Sequence, residues 1–259
     1  MWLNEGLEVL GTDEHPDEKQ WGGVFEDSAL ESVVLPSTLR VVEHNAFCRC
    51  KSLKTVELPE NIEKISIGTF AYSGLENITF HESIKTVEWA AFAFCKKLRK
   101  ITFNKGLESI CANAFFGSGL ECVVFPRSLR RLSQGAFASC KNLREVRFGE
   151  GLTVLGTDEY PENGDQWRGV FQESALESVA LPSTLKQIGT DTFRKCKNLK
   201  SVLLPDGLKK IGINCFSESG LEEVTLPTSV RDVAAGAFYG CQRLRDVRLN
   251  EGLERLGER

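Results

Sequence analysis

The sequence is poor in the features that mark nucleic-acid-binding and membrane proteins. Its 32 lysines and arginines are outnumbered by 36 aspartates and glutamates, which gives a formal net charge of −4. Nucleic acids are bound through basic patches, and no basic stripe stands out. No apolar run approaches the roughly 20 residues that a membrane-spanning helix needs. We therefore predict no nucleic-acid partner and no membrane insertion.

Motifs for catalysis and for metal binding are also missing. The three histidines, His15, His44 and His81, do not recur with the cysteines. The sequence has no G-x-S-x-G nucleophile motif, no glycine-rich phosphate loop and no H-E-x-x-H motif. It has no C-x-x-C pair of the kind that zinc sites use. These absences predict a protein that is not an enzyme and that holds no cofactor or metal.

Phenylalanine, in contrast, is abundant and regularly spaced. Of the 16 phenylalanines, ten recur at intervals of 22 or 23 residues, with a single longer interval of 34. A period of this length lies in the leucine-rich-repeat range, and units that cannot bury their apolar residues alone are expected to stack into a solenoid. The ten are Phe25, Phe47, Phe70, Phe92, Phe115, Phe137, Phe171, Phe193, Phe216 and Phe238.

Each unit reads approximately A-F-x-x-[CS]-x-x-L-x-x-V-x-L-P-x-x-L-x-x-I-G. Apolar and polar residues alternate from Leu53 to Leu58, and Pro59 follows, which predicts a short strand ended by proline. Ile62 and Ile65 form a second apolar pair. Strand spacing then places successive coils about 4.8 Å apart.

This pattern, as in Ala136 and Phe137 through Cys140 to Leu143, resembles the BspA-like leucine-rich repeat proteins over essentially the whole chain. The resemblance implies an α/β-type leucine-rich repeat solenoid of mostly short parallel β-strands with turns and short helical segments. It further implies a right-handed curved coil of about ten repeats, and a binding role, often at cell surfaces. We expect a single solenoid domain over residues 1–259.

Two kinds of coil alternate, so the full period is 45 residues. The third residue after the phenylalanine is serine in one kind, as in Ser28 and Ser73, and cysteine in the other, as in Cys50 and Cys95. The residue after the next leucine alternates in charge, and opposite charges on neighbouring strands contribute roughly 0.2–1 kcal/mol per pair. We interpret this column as a structural charge ladder; the alternative is a charge-binding groove. The ladder comprises Glu31, Lys54, Glu76, Arg99, Glu121, Arg144, Glu177, Lys200, Glu222 and Arg245.

The nine cysteines are an odd number, which argues against a fully paired disulfide framework. The five regular ones lie two coils apart, about 9–10 Å at strand spacing, whereas a disulfide needs Cα atoms within about 7 Å. Unpaired thiols favour an intracellular compartment, and the first residues lack a secretory signal pattern. The family resemblance allows a cell-surface location, so the compartment stays open.

Two acidic insertions, at about 12–21 and 157–167, interrupt the repeat at the same position in two coils. Loops on a rigid scaffold often carry function, so the two insertions are candidate partner contacts. One alternative is a tryptophan that folds back over the coil. The other is a calcium site, although the regular alternation of oxygen ligands is missing. The candidate contacts are Asp13, Glu14, Trp21, Asp158, Glu159 and Trp167.

The outward face of the strands is a second candidate surface. Strand alternation should turn Lys100, Glu145 and Arg147 toward solvent, where they are candidate partner contacts. The face lacks the cluster of Trp, Tyr and Arg that is typical of a strong binding hot spot. The alternative is therefore a sheet face that is only solvated.

The sequence thus favours a non-catalytic protein-binding or scaffold module that uses a repeat surface and edge loops, with a protein partner of unknown identity. The first alternative is an extracellular adhesin or surface antigen of the same fold, and the second is a structural spacer in a larger protein. Neither end of the chain carries the polar cap that repeat arrays need. We therefore expect a fragment of a longer array, or end-to-end self-association.

Overall fold

A single column of phenylalanine rings runs through the protein. The structure, a computed structural model, describes residues 3, 5–11, 22–157 and 169–258. The ten regularly spaced rings stack in sequence order with centroid separations of 5.0 to 5.8 Å. The column from Phe25 to Phe238 therefore spans nine turns of a solenoid. We number the layers by these rings, from layer 1 at Phe25 to layer 10 at Phe238.

One short strand of three residues forms in nearly every layer. The central residue is buried and its two neighbours are mostly exposed, because successive side chains of a strand point to opposite faces; only β19 is exposed at all three positions. These strands are β2 (Ser32–Val34), β4 (Thr55–Glu57), β6 (Asn77–Thr79), β8 (Lys100–Thr102), β10 (Cys122–Val124), β12 (Glu145–Arg147), β14 (Ser178–Ala180), β17 (Glu223–Thr225) and β19 (Asp246–Arg248). In layer 8 an isolated bridge from Ala180 to Leu203 takes the place of a strand.

A second set of strands, two residues long, follows the first set in each layer, and one further strand of this kind precedes layer 1. They are β1 (Val9–Leu10), β3 (Val41–Val42), β5 (Lys64–Ile65), β7 (Thr86–Val87), β9 (Ser109–Ile110), β11 (Arg131–Leu132), β13 (Val154–Leu155), β15 (Gln187–Ile188), β16 (Lys210–Ile211), β18 (Asp232–Val233) and β20 (Arg255–Leu256). Every pairing between strands is parallel, for example β10–β12–β14 and β13–β15–β16–β18–β20. The protein is therefore a parallel β-solenoid of the leucine-rich-repeat type.

The solenoid stays in register across the 34-residue interval. Val123, Val146 and Val179 are direct strand partners in layers 5, 6 and 7. Phe137 and Phe171 still stack at 5.8 Å, and the Phe137 N–H donates to the Val170 carbonyl at 2.8 Å. The repeat therefore continues in register on both sides of the insertion, as expected from the unchanged positions of the flanking residues.

The expected short helical segments are absent from the described residues, and this expectation was wrong. The segments that carry the column phenylalanines are turns whose N–H groups donate to the next layer, as Phe70 does to Ala91 at 2.9 Å. An α-helix would instead direct these N–H groups to carbonyls four residues back in the same segment. The turns also hold residues with positive φ, a conformation that a right-handed helix excludes.

The core is one continuous cluster along the whole stack. Eight of the ten column phenylalanines are fully buried, while Phe25 and Phe238, at the two ends, are only partly buried. Full burial of such a side chain contributes roughly 1.5–3 kcal/mol, so the column is a principal source of stability. Beyond it, the last layer leaves Val247, Leu249 and Leu256 exposed.

Candidate interaction surface

The predicted contacts in the two insertions lie outside the described residues. They are Asp13, Glu14, Trp21, Asp158, Glu159 and Trp167. Of the residues next to them, Thr157 accepts a hydrogen bond from the Thr190 N–H at 3.1 Å, within the solenoid. The role of the insertions as partner contacts stays a prediction.

The three predicted contacts on the strands lie on the outward face but do not form one cluster. Lys100 is on β8, and Glu145 and Arg147 are on β12, with β10 between them. The Arg147 Nε donates to Glu145 Oε1 at 2.6 Å, and this hydrogen bond raises the pKa of Arg147. The arginine charge is therefore balanced within its own strand. The large apolar side chains exposed on this face, Val34, Val124 and Leu203, lie in layers 1, 5 and 8.

Backbone hydrogen bonds join consecutive ladder residues from Glu31 to Glu177, and again from Lys200 to Arg245. The Glu76 N–H donates to the Lys54 carbonyl at 3.0 Å, and the Arg99 N–H to the Glu76 carbonyl at 2.9 Å. Two side-chain ion pairs lie within the column, Arg99–Glu121 at 3.7 Å and Arg144–Glu177 at 2.9 Å. All four side chains are more than half exposed, and exposed pairs contribute little stability.

The alternation of serine and cysteine produces a hydrogen-bonded pair that recurs five times. The cysteine Sγ lies 3.3–3.4 Å from the serine Oγ of the preceding layer, in Ser28–Cys50, Ser73–Cys95, Ser118–Cys140, Ser174–Cys196 and Ser219–Cys241. Each Sγ also donates to the carbonyl of the preceding column phenylalanine at 3.0–3.2 Å. Because a thiol has one proton, which goes to the carbonyl, its sulfur accepts the hydrogen bond from the serine hydroxyl.

These cysteines are held as neutral thiols. All nine cysteines of the chain are described, and none forms a disulfide. Burial raises the pKa of Cys95 and Cys196 to about 12 and that of Cys140 to about 11, while the serine hydrogen bond opposes this shift. A buried thiol with a raised pKa is inert as a nucleophile. In the described part of the chain, no three His, Cys, Asp or Glu side chains are placed to hold a metal ion, and no helix is long and apolar enough to cross a bilayer.

Each layer contains a left-handed residue two positions after the column phenylalanine. Its φ lies between 57° and 70° in all ten layers, a region that costs an L-residue roughly 1–2 kcal/mol. Its N–H donates to the next layer, as Tyr72 does to the Ala93 carbonyl at 2.8 Å. The ten residues are Asp27, Arg49, Tyr72, Phe94, Gly117, Ser139, Glu173, Lys195, Glu218 and Gly240.

Layers 3 and 4 place aromatic rings at this left-handed position. The left-handed conformation itself recurs in every layer, so the aromatic side chains, and not the backbone, distinguish layers 3 and 4. Tyr72 and Phe94 stack at 4.6 Å, and Phe116 meets Phe94 edge-on at 5.0 Å. Trp89 lies beside them and is 53% exposed, and Tyr72 is 46% exposed. We call Tyr72, Trp89, Phe94 and Phe116 the aromatic groove.

The floor of the aromatic groove is made of small residues. Cys48, Ala71, Ala90 and Ala93 are buried there and form an apolar cluster separate from the main core, against which Phe94 and Phe116 pack. The resulting hollow has a volume of about 300 Å³. Its other described lining residues, Asn45, Gly68 and Asn113, carry no charge. The groove is therefore a neutral, mostly apolar depression with exposed rings at its edge.

A second hollow of about 420 Å³ continues from the aromatic groove toward layer 6. Phe94 and Phe116 line both hollows, and the second adds two lysines, Lys96 and Lys141. Lys141 is bonded to the Glu173 carboxylate at 3.2 Å. We call this hollow the lysine pocket; Ser118, Ser139, Asn142, Gly117 and Gly119 complete its described lining.

The sequence pattern does not identify this surface, because it leaves the second residue after the column phenylalanine unspecified. Tyr72 and Phe94 occupy this position in two successive coils. One signal could have identified it: two successive coils carry an aromatic residue where the others carry charged, small or glycine residues. That signal needs the knowledge that this position faces outward, which the repeat period does not supply.

Comparison with known proteins identifies the repeat. A family model described as a BspA type leucine-rich repeat region matches residues 22–144 and 168–259, in six copies. No curated protein matches the chain. The match covers most of the sequence on both sides of the second insertion.

Two solved structures are similar to this solenoid. A leucine-rich repeat protein from Bacteroides ovatus ATCC 8483 is 24% identical, with a TM-score of 0.69 over 99% of this chain. The pneumococcal vaccine antigen PcpA is 26% identical, with a TM-score of 0.59 over 97% of this chain. The chain spans 62% and 64% of the lengths of these two structures.

Proposed function

Because the chain belongs to the BspA-type leucine-rich repeat family, we propose that it is a non-catalytic protein-binding module whose main contact surface is the aromatic groove. The observation that carries the proposal is that Tyr72 and Phe94 place aromatic rings at a left-handed position where other layers carry charged, small or glycine residues, and that the Tyr72 ring is left partly exposed. Interfaces between proteins are rich in such aromatic anchors. Solenoids commonly present extended binding surfaces of this kind.

The size and lining of the groove support a contact with a protein side chain. Its hollow of about 300 Å³ lies at the lower end of the range in which pockets hold ligands. Trp89 and Tyr72 offer large apolar area with few rotatable bonds, so their ordering on binding costs little entropy. We propose that the charged side chains outside the groove, including those of the ladder, keep neighbouring coils in register.

The test is affinity capture with matched variants. Trp89→Ser and Tyr72→Ser remove rings that are about half exposed, so the fold should persist. The control is Tyr239→Ser, which removes a ring of similar exposure (48%) in layer 10. We expect the wild type and Tyr239→Ser to retain the same set of proteins, and the two groove variants to lose it. Equal retention by all four proteins would contradict the proposal.

A second candidate function is that of a surface antigen or adhesin. The observation that favours it is the likeness to the vaccine antigen PcpA over 97% of this chain. Antibody labelling of intact and permeabilised cells that produce the protein separates the two cases. Labelling of intact cells supports display at the surface, and labelling only after permeabilisation contradicts it.

A further inference from the structure

The aromatic groove and the lysine pocket form one surface whose charged side chains are lysines. The chain as a whole carries a net charge of −4. Nevertheless, the described residues that line these two hollows include Lys96 and Lys141 and no acidic side chain. Lys141 is occupied by Glu173, whereas no acidic partner within 4.0 Å of Lys96 is found among the described residues. A ligand that complements this surface has an apolar ring next to negative charge.

Lysines at the same repeat position in the other even-numbered layers show how the surroundings of Lys96 differ. The fourth residue after the column phenylalanine is a lysine in layers 2, 4, 6 and 8: Lys51, Lys96, Lys141 and Lys197. Lys197 also lies in a hollow, but Glu218 lines that hollow with it. At Lys96 the neighbouring walls are instead the rings of Phe94 and Phe116. The same cation therefore has an acidic neighbour in layer 8 and aromatic neighbours in layer 4.

The chain itself carries a segment with the complementary chemistry. Residues 158–167 read DEYPENGDQW, with four carboxylates, two aromatic residues and no basic residue. The other insertion, residues 12–21, also has four carboxylates but includes Lys19. A segment of this composition offers a ring to an apolar depression and carboxylates to the lysine of the adjoining hollow.

We propose that residues 158–167 of one copy of the chain bind the aromatic groove and lysine pocket of a second copy, through an aromatic ring in the groove and carboxylates at Lys96. This inference rests on the proposed role of the groove as a protein-contact surface. The segment and the groove are different surfaces, so two copies can exchange segments reciprocally or continue head to tail. Because part of the attraction is between charges, it weakens as salt screens them.

Self-association is the first test, with sedimentation velocity on the full chain. We expect wild-type protein to associate with rising concentration, and Lys96→Glu, Trp89→Ser and Trp167→Ser each to weaken association about tenfold or more, as loss of an interface anchor does. The matched control is Lys197→Glu, which reverses the lysine at the same repeat position in layer 8. It should associate like the wild type.

A synthetic peptide of residues 157–168 provides the second test, by fluorescence anisotropy. Wild-type protein should bind it, and the peptide with Trp167→Ala should bind about tenfold more weakly. A peptide with Asp158→Lys and Glu159→Lys should bind the wild type poorly and regain affinity for the Lys96→Glu protein. Such a charge-swapped recovery cannot come from a change in folding.

Several outcomes would overturn the inference. Association that is unchanged in Lys96→Glu and Trp89→Ser would point to stacking of the exposed ends, through residues such as Leu249 and Leu256. Peptide binding that does not depend on the tryptophan, or no binding at all, would also overturn it. If the peptide does not bind but foreign proteins are captured through the groove, the proposed function stands and the self-contact is wrong. If the peptide binds but no foreign protein is captured, the self-contact stands and the proposed function is wrong.

Discussion

Layers 3–5 and layers 7–9 share one backbone and use it differently on the turn side. The left-handed position holds Tyr72 and Phe94 in the first region, and Glu173, Lys195 and Glu218 in the second. In both regions the backbone N–H at this position donates to the next layer at 2.6–2.9 Å. The backbone thus requires a conformation here and leaves the choice of side chain free.

The two regions differ in whether neighbouring side chains satisfy one another. In layers 6–9, Glu173 lies 3.2 Å from Lys141 and 3.9 Å from Lys195, and Arg194 lies 3.4 Å from Glu218. In layers 3–5 the rings contact each other but leave part of their surface in water. Charged pairs within the chain satisfy the surface of the second region, whereas the aromatic surface of the first region keeps apolar area that a partner can cover.

The largest expected effect tests whether the two regions share one core. Phe115→Ala and Phe193→Ala should each lower the free energy of unfolding by about 3–5 kcal/mol, because each deletes a fully buried ring and leaves a cavity. Both rings are 0% exposed and stack on neighbours at 5.0–5.7 Å. Urea unfolding followed by circular dichroism measures the loss. A much larger loss at Phe115 would mean that the aromatic groove contributes to the core, and would break the comparison.

An intermediate effect is expected from the thiols, again equally in both regions. Cys95→Ala and Cys196→Ala should each cost about 1–3 kcal/mol, because the serine and phenylalanine oxygens lose their buried partner. The control is Cys122→Ala, since this side chain is exposed on the sheet face and should change stability little. A loss at Cys122 as large as at Cys95 would contradict the hydrogen-bonding role.

The same thiols make stability depend on pH in the alkaline range. Burial raises the pKa of Cys95 and Cys196 from 9.0 to about 12, so the folded state holds protons that the unfolded state loses. Their stabilisation is therefore fully present below pH 9 and is lost as pH rises from about 9 to about 12. The wild type should lose stability over this window more steeply than Cys95→Ala. Parallel curves would show that other groups cause the loss.

The smallest effect is expected from the ion pairs of the charged region. Burial disfavours ionisation of Glu173, but Lys141 and Lys195 outweigh it and lower the Glu173 pKa below its ordinary 4.5. Glu173→Gln should lower stability by only about 0.2–1 kcal/mol, and less in high salt, because solvent screens an ion pair in which Lys141 is 65% exposed and Glu173 is 35% exposed. This difference should vanish as pH falls below 4.5 through the lowered pKa. Fluorescence-detected unfolding at pH 7 and pH 3 measures it; a difference that persists at pH 3 would exclude the charge as its cause.

The solenoid was predictable because its core positions are fixed by periodicity. Phe47 and Phe70 recur at the repeat period, and alternation around Val56 identifies which residues face inward. The turn side was not predictable in the same way. The conformation at Tyr72 follows from hydrogen bonds between layers, and the groove joins residues of three layers around a floor of small side chains. Helical segments were expected there from the family pattern, and the left-handed residues exclude them.

The alternation of serine and cysteine was visible in the sequence, but its consequence was not. Ser73 and Cys95 were recognised as members of two coil types, and the cysteines as unpaired. The bond between them depends on a separation of 3.4 Å across layers, which no spacing along the chain specifies. The same is true of the exposed charges: the sequence predicted the alternating column but not which residues form ion pairs.

Because serine layers and cysteine layers alternate, the repeating unit of the array is a pair of layers. Loss or gain of one layer by unequal recombination would bring serine onto serine or cysteine onto cysteine at the junction, and would leave ladder residues of like sign adjacent. Loss or gain of two layers restores both matches. Related arrays should therefore differ in length by whole pairs of layers, because a mismatch at the inward-facing thiol lowers the stability of products that differ by a single layer.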